Sequence, residues 1–464
     1  MSLLASLDKR RLLLQIGALL TFALIPVWDR FPRDEPPPLG LPNLNVSYYV
    51  LLLPMLWTIA AWLLAGVPGL AALWRNRVRR VWALALVGLA AWAVASLSWA
   101  FAGAFDADAG QTAALQLCII VLFVLAVACA GPPPRAVVAV LAAVLLANAT
   151  ITILQAQTQG SIGLKLLGEY EFGPDKLGVG VVQAAGVRWV RPLGLMPHPN
   201  MLAGTLLAGL LASAALVLSS RRWVRWLGSG LFALGLWALL LTFSRAAWLG
   251  LALGIVLVLP LLRWTLRHRA RRIQVALTAG LALIVGAAFA AGFAPFLAAR
   301  TGAGQESIEL RSVADRIVFT DFALRSIRER PVLGVGIGNF PWRTSYYLVD
   351  TFYELRGDNV HNVYLLAWAE LGIVGLGLLG IALVAGLAAV WLAVRSSSTQ
   401  PLTRGGMVEQ TAPHALDDRT ARVALLALVL ACLIIGLLDH YPWTILHFQV
   451  ALWGALVTAA KPVG

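Results

Sequence analysis

One histidine, His361, stands in the stretch GDNVHNVYLLAWAELG, residues 357–372, where a polar lead gives way to a long apolar run. A neutral imidazole is available near pH 7, so such a group can take a proton from a hydroxyl without large tuning. Taken alone, the stretch reads first as a helix start, with Asn359 or the histidine as its cap. A metal is not expected. No second histidine or carboxylate follows at ligand-like spacing, only the more distant Glu370.

Anion chemistry would fall to arginine, whose fixed charge and planar fork suit phosphate oxygens. Arg245 lies in LLLTFSRAAWLGLALG, residues 239–254, between two apolar runs with almost no loop. An arginine there must snorkel or find an anionic partner. In GVRWVRPLGLMPHPNMLAG, residues 186–204, Arg188 and Arg191 flank aromatic residues, and Pro192, Pro197 and Pro199 stiffen the approach. Asn200 reads as the cap of the next helix, Arg191 as an anion-binding candidate and His198 as a lesser one. RPVLGVGIGNFPWR, residues 330–343, alternates Gly334, Gly336 and Gly338. Such a turn could bring backbone amides to a phosphate, or form a tight re-entrant turn. It is not a dinucleotide fingerprint, for GxGxxG is missing.

The elements that must position these groups are membrane helices. Of 464 residues, 60% are hydrophobic and 12% charged, against about 25% charged in ordinary soluble domains. Apolar runs near 12–27, 46–65, 81–101, 113–130, 136–154, 201–219, 226–243, 246–262, 273–296, 362–394, 423–438 and 443–460 make twelve candidate spans. The expected fold is therefore an all-α polytopic membrane protein, with residues 1–464 as one catalytic membrane domain. The first run, Leu12 to Val27, follows Lys9, Arg10 and Arg11 like a signal peptide but has no convincing cleavage site, and reads as a retained span. Cys118, Cys129 and Cys432 lie singly in apolar runs, without disulfide or zinc spacing.

Charge orients the chain. Basic clusters at Lys9–Arg11, Arg75–Arg80, Arg135, Arg221–Arg225, Arg263–Arg272 and Lys461 fall on one side if both termini are cytoplasmic. The formal charge of +14 then reflects membrane topology, and nucleic acid is not an expected partner. The exported side receives Asp106 and Asp108, segment 155–200, the turn at Ser244-Arg245, the large loop 297–361 and the pair Asp439-His440. Within the large loop, residues 312–330 place Val313, Ile317, Leu324 and Ile327 on one face of an amphipathic helix expected at the membrane surface or capping the bundle. The loop also holds Arg300, Arg311, Arg316, Arg325, Arg328, Arg330, Arg343 and Arg356, matched by Glu306, Glu309, Asp315, Asp321, Glu329, Asp350, Glu354 and Asp358. Many of these arginines could simply form surface ion pairs. Segment 395–421, with Gly405-Gly406 and His414, reads as a flexible cytoplasmic linker.

SRAAWLG at 244–250, Arg316 ahead of RPVLGVGIGNF, and HNVYLLAWAELGIVGL at 361–376 together resemble the O-antigen ligase and polymerase superfamily of bacterial inner-membrane glycosyltransferases. The motifs cover roughly residues 185–395. Ala246 stands where many relatives carry glycine after the arginine. The resemblance implies transfer of a glycan from an undecaprenyl-diphosphate carrier to an acceptor hydroxyl on the periplasmic face. His361 matches the family's histidine, Arg245 the Ser-Arg arginine and Arg316 the loop arginine; Arg191 is an extension from its place before the sixth span. A lipid A-core acceptor makes the protein a ligase, a second carrier-linked glycan a polymerase, and a protein acceptor an oligosaccharyltransferase. Ligase is the first expectation, because the chain has no evident extra module to select a protein and its exported basic surface suits a phosphate-bearing core. No cofactor or metal is expected. A transporter or flippase for an anionic polyprenyl-linked substrate is the rival class: twelve spans fit it, but no repeated halves are evident and the polar candidates gather at one face.

Overall fold

The computed structural model describes residues 2–28, 30–31, 48–100, 107–176, 178–184, 186–263, 265–300, 307–348, 358–397 and 416–462. Asp106, Glu306, Asp350, Glu354, Arg356 and linker residues 398–415, with Gly405, Gly406 and His414, lie outside them, as do the side chains of Asp108, Glu309, Arg311 and Val313.

The chain runs through α1 (Ser2–Ala23), β1 (Arg30–Phe31), β2 (Tyr48–Tyr49), α2 (Leu52–Leu64), α3 (Leu70–Arg75), α4 (Arg77–Ser96), α5 (Ala107–Ala130) and α6 (Pro134–Thr158). After β3 (Val181–Ala184) and β4 (Val187–Val190) come α7 (Pro199–Val217), α8 (Arg222–Leu241), α9 (Arg245–Val258), α10 (Arg269–Gly292) and α11 (Ala294–Arg300). The rest comprises α12 (Ser307–Glu329), α13 (Phe340–Leu348), α14 (Val363–Ser396), α15 (Asp418–Ile435), α16 (Tyr441–Thr444) and α17 (Leu446–Ala459), which contains a π turn at Val450–Gly454. Each of the twelve apolar runs falls on a helix, and eight helices among the described residues are long and apolar enough to cross a membrane. Leu52–Leu64 and Leu446–Ala459 are shorter apolar helices. The two antiparallel pairs, β1 with β2 and β3 with β4, are small departures from an all-helical chain.

Helix starts follow their sequences. Pro134 and Pro199 occupy first-turn positions where no amide partner is needed, and Asp417 and Asn362 accept from the free amides at the starts of α15 and α14. Helix α14 packs along α4, α7 along α8, and α15 along α9. Peripheral α10 turns Ile273, Leu277, Leu283 and Ile284 outward, while Gln274 donates to Ser229 Oγ at 2.8 Å, and that oxygen lies 2.7 Å from Thr278 Oγ1. Hydroxyl and amide bonds of this kind join helices where apolar contact with lipid offers no preference.

Helix α12 buries only Ile327 of the described residues in its expected apolar stripe. Phe319, Phe322, Ala323, Ser326 and Ile327 face the core, whereas Ile317 is 66% exposed and Leu324 37%. The two phenylalanines offer the larger apolar area and set the rotation.

The glycine turn docks on a break in α14. Gly372 there has φ 65° and ψ −174°, so the carbonyls of Ala369 and Glu370 accept from Val335 N at 2.9 Å and Gly336 N at 2.8 Å, and Ile373 N donates to Pro331 O at 2.9 Å. Gly334, Gly336 and Gly338 all have positive φ, and a Cβ on Gly334 would stand 2.3 Å from Glu370 O. Here glycine is required by both dihedral and space.

Candidate functional site

His361 lies one residue ahead of the N-cap of α14. Asn362 Oδ1 accepts from Tyr364 N and Leu365 N, both at 3.0 Å, and its Nδ2 donates to Leu437 O at 3.2 Å. Val363 N donates to Gly436 O at 2.7 Å. The cap is thus Asn362, neither Asn359 nor the histidine, and it ties the start of α14 to the end of α15. That tie brings Asp439 and His440 against His361: the two imidazole rings lie 5.4 Å apart at 76°.

Several groups converge there. Asp439 is buried; its Oδ2 accepts from Asn200 Nδ2 at 3.0 Å and its Oδ1 from His440 N at 2.9 Å. Asn200 Oδ1 in turn accepts from Arg191 Nη2 at 2.7 Å, and Arg191 Nε donates to Thr242 O at 2.5 Å. His440 Nδ1 lies 2.9 Å from Thr444 Oγ1, and its Nε2 3.9 Å from Asp358 Oδ1. His361 Nδ1 is enclosed without a hydrogen-bond partner among the described residues.

Electrostatics follow from this crowding. Burial lowers the His361 pKa, Asp439 opposes that, and His440 and the Arg316 guanidinium push it further down. Burial would raise the Asp439 carboxyl, yet His440, His361, His198 and the Asn200 amide together hold it below the usual carboxylate range. The protein packed around its ring, with Arg191 beside it, lowers His198 from 6.5 to about 4, although one side of the residue stays exposed to solvent. His198 is also the cap of α7, its Nδ1 accepting from Asn200 N at 3.1 Å, which requires an unprotonated nitrogen. Asn200, read from sequence as that cap, instead spends its side chain bridging Arg191 and Asp439.

Of the sequence candidates, His361 and Arg191 gather about Asp439, Arg191 through Asn200, and the Arg316 guanidinium is near enough to act on His361. Arg245 is held by a different set of contacts. It is exposed at the rim, donating to Arg300 O at 2.6 Å, while Arg300 Nη2 donates to Phe243 O at 3.2 Å. The turn that carries it is still joined to the site, because Thr242 O holds Arg191. The glycine turn offers no open phosphate cradle: the amides of Val335, Gly336 and Ile337 are spent on Ala369 O, Glu370 O and Ser96 Oγ.

Local spacing gave His361 no second ligand, but folding supplies one from afar. One donor atom each from His361, Asp439 and His440 lie within 4.8 Å of one another, a set able to hold a cation. Arg316 and Arg191 beside them add positive charge that favours an anion instead. Asp439-His440, directly after an apolar run, was the only sequence signal for this half of the site.

Fold and site define a polytopic helical protein with a histidine, carboxylate and arginine cluster at one end of its bundle. Residues 230–380 match the family Wzy_C, O-antigen ligase, which supports the O-antigen ligase superfamily for that region and does not separate ligase from polymerase. Members are enzymes, O-antigen ligases or polymerases, which supports glycosyl transfer in O-antigen processing with lipid-linked glycan and lipid A-core partners in general. No curated protein matches the chain.

Proposed function

We propose that this protein is a ligase that moves O-antigen glycan from undecaprenyl diphosphate to a lipid A-core sugar hydroxyl at the periplasmic face of a bacterial inner membrane. The enclosed His361 nitrogen, without a partner among the described residues and set between a buried carboxylate and the Arg316 guanidinium, carries this reading. The acceptor oxygen attacks the anomeric carbon and His361 takes its proton. The bond to the diphosphate oxygen breaks, and the lipid diphosphate leaves with the electron pair. Asp439, held by Asn200 and by the His440 amide, stabilises the imidazolium that forms. Arg191 and Arg316, with Arg245 at the rim, bind the diphosphate and offset the charge growing on it. A single displacement inverts the anomeric centre. No step calls for a metal.

His361→Ala should reduce transfer by about 10²–10⁴-fold while the purified protein still binds carrier. Normal turnover in detergent would remove His361 as the base. Supplying the wild type with either lipid A-core or a second carrier-linked glycan separates ligase from polymerase by the product formed. Product made in detergent, where no second compartment exists, argues against a transporter.

A further inference from the structure

A cavity of about 260 Å³ lies beside the histidine cluster, between α5, the glycine turn, α14, α16 and α17. Its wall reaches the cluster through Thr444, whose Oγ1 is 2.9 Å from His440 Nδ1, and through Asn359, two residues before His361. Glu370 lines it about 10 Å below the start of α14, taking 1.5 Å per residue.

Its lining is polar in a particular way. Glu370 is the only ionisable group among the lining residues, and its carboxyl accepts from Trp443 Nε1 at 3.3 Å and from the backbone amides of Gly338 and Phe340. A carboxyl with up to four acceptor positions keeps capacity beyond these three donors. Gln116 Nε2 donates to Thr444 O at 3.3 Å and Gln449 Oε1 at 3.2 Å. Thr112 Oγ1 is enclosed and without a partner among the described residues. A hydroxyl left unpaired at this depth costs free energy unless water or a ligand satisfies it.

Among the described residues no cation lines the cavity, so a phosphate would meet Glu370 with none of them to balance it. Amide, hydroxyl and carboxyl groups beside an indole suit an uncharged polyhydroxyl ligand. The volume falls below the about 300–1,000 Å³ of sites for drug-sized molecules, and so fits a single ring. We propose that this cavity is a subsite for one uncharged pyranose ring of the glycan substrate. It rests on the glycosyl-transfer reading for the sugar's role, though sugar binding itself requires no transfer. Phosphate and sugar are thereby sorted: the diphosphate lies with the arginines, and the ring on the other side of His440.

The test is saturation-transfer NMR on the purified full-length protein in detergent, with the methyl glycosides of glucose, galactose, mannose and N-acetylglucosamine as probes. At least one should bind the wild type, more tightly than methyl glucuronide, whose carboxylate would face Glu370. Thr112→Val, equal in volume, should weaken that binding about three- to tenfold, the worth of one hydrogen bond. Ala113→Phe, which fills the cavity from α5, should abolish it, and if that variant does not fold Thr112→Val decides. Binding by none of the four probes, or binding that Thr112→Val leaves untouched, overturns the subsite. That result alongside intact glycan transfer leaves the transferase reading standing. Sugar binding without any transfer by the wild type sinks the transferase reading and keeps the subsite.

Discussion

The two ends of the bundle both hold arginines, yet they use them oppositely. At the basic end, Arg79 Nη2 donates to Ala128 O at 2.7 Å, Arg422 Nη1 to Ala459 O at 2.7 Å and to Lys461 O, Arg10 Nη1 to Leu64 O at 2.8 Å, and Lys461 Nζ to Gly131 O. These are carbonyls at or just past helix C-termini, where the helix dipole favours a cation. At the histidine end, Arg191 also holds a carbonyl, Thr242 O, but reaches a buried carboxylate as well through Asn200, and Arg316 acts on an imidazole whose Nδ1 has no partner among the described residues. Depth and charge alike fail to set the arginines of the two ends apart. What differs is the surroundings: only the histidine end sets a buried carboxylate and imidazoles beside its arginines.

The contrast can be broken by substitution at either end. Asp439→Asn keeps the shape but removes the charge that opposes the lowering of the His361 pKa. Turnover should fall on the order of 10²-fold, within the range for general-base defects, and the acid limb of the pH profile should move to lower pH. An unmoved limb would separate Asp439 from the base. Arg316→Ala should raise the KM for the lipid-linked donor by roughly tenfold or more, the loss of one charge-assisted contact, with a smaller rise for the exposed Arg245→Ala. Equal donor affinity in both variants would defeat the diphosphate clamp. Arg422→Met at the basic end should cost about 1–3 kcal/mol of stability and leave kcat unchanged, as read by thermal unfolding and turnover together; a fall in kcat would erase the distinction between the ends.

The smallest effect concerns pH. His198 is lowered from 6.5 to about 4 in the fold, so between those values the unfolded chain binds the proton and the native one does not. Stability should therefore decline as pH falls through that window. Protonation would also displace the amide of Asn200 from Nδ1 and loosen the bridge to Asp439. His198→Asn, which can still cap a helix, should flatten the decline in a thermal-unfolding series; an unchanged slope would assign it to other groups.

The sequence by itself determined the helical membrane class, because twelve apolar runs leave no other way to satisfy so much backbone. It also marked His361, Arg191, Arg245 and Arg316, since a titratable or charged group at the edge of an apolar run is conspicuous. Helix rotation was less legible. In α12 the pattern of Ile317 and Leu324 competes with Phe319 and Phe322, and only packing chose between them. The glycine alternation announced an unusual backbone but not its purpose, which is to fill the break at Gly372. Only the tertiary structure assembled the site: Asp439 and His440 lie far along the chain from His361 and Asn200, and capping bonds between α14 and α15 bring them within reach. Periodicity and charge are local properties that a sequence displays directly. The partner of a buried carboxylate is a long-range one, fixed when helices distant in the chain pack side by side.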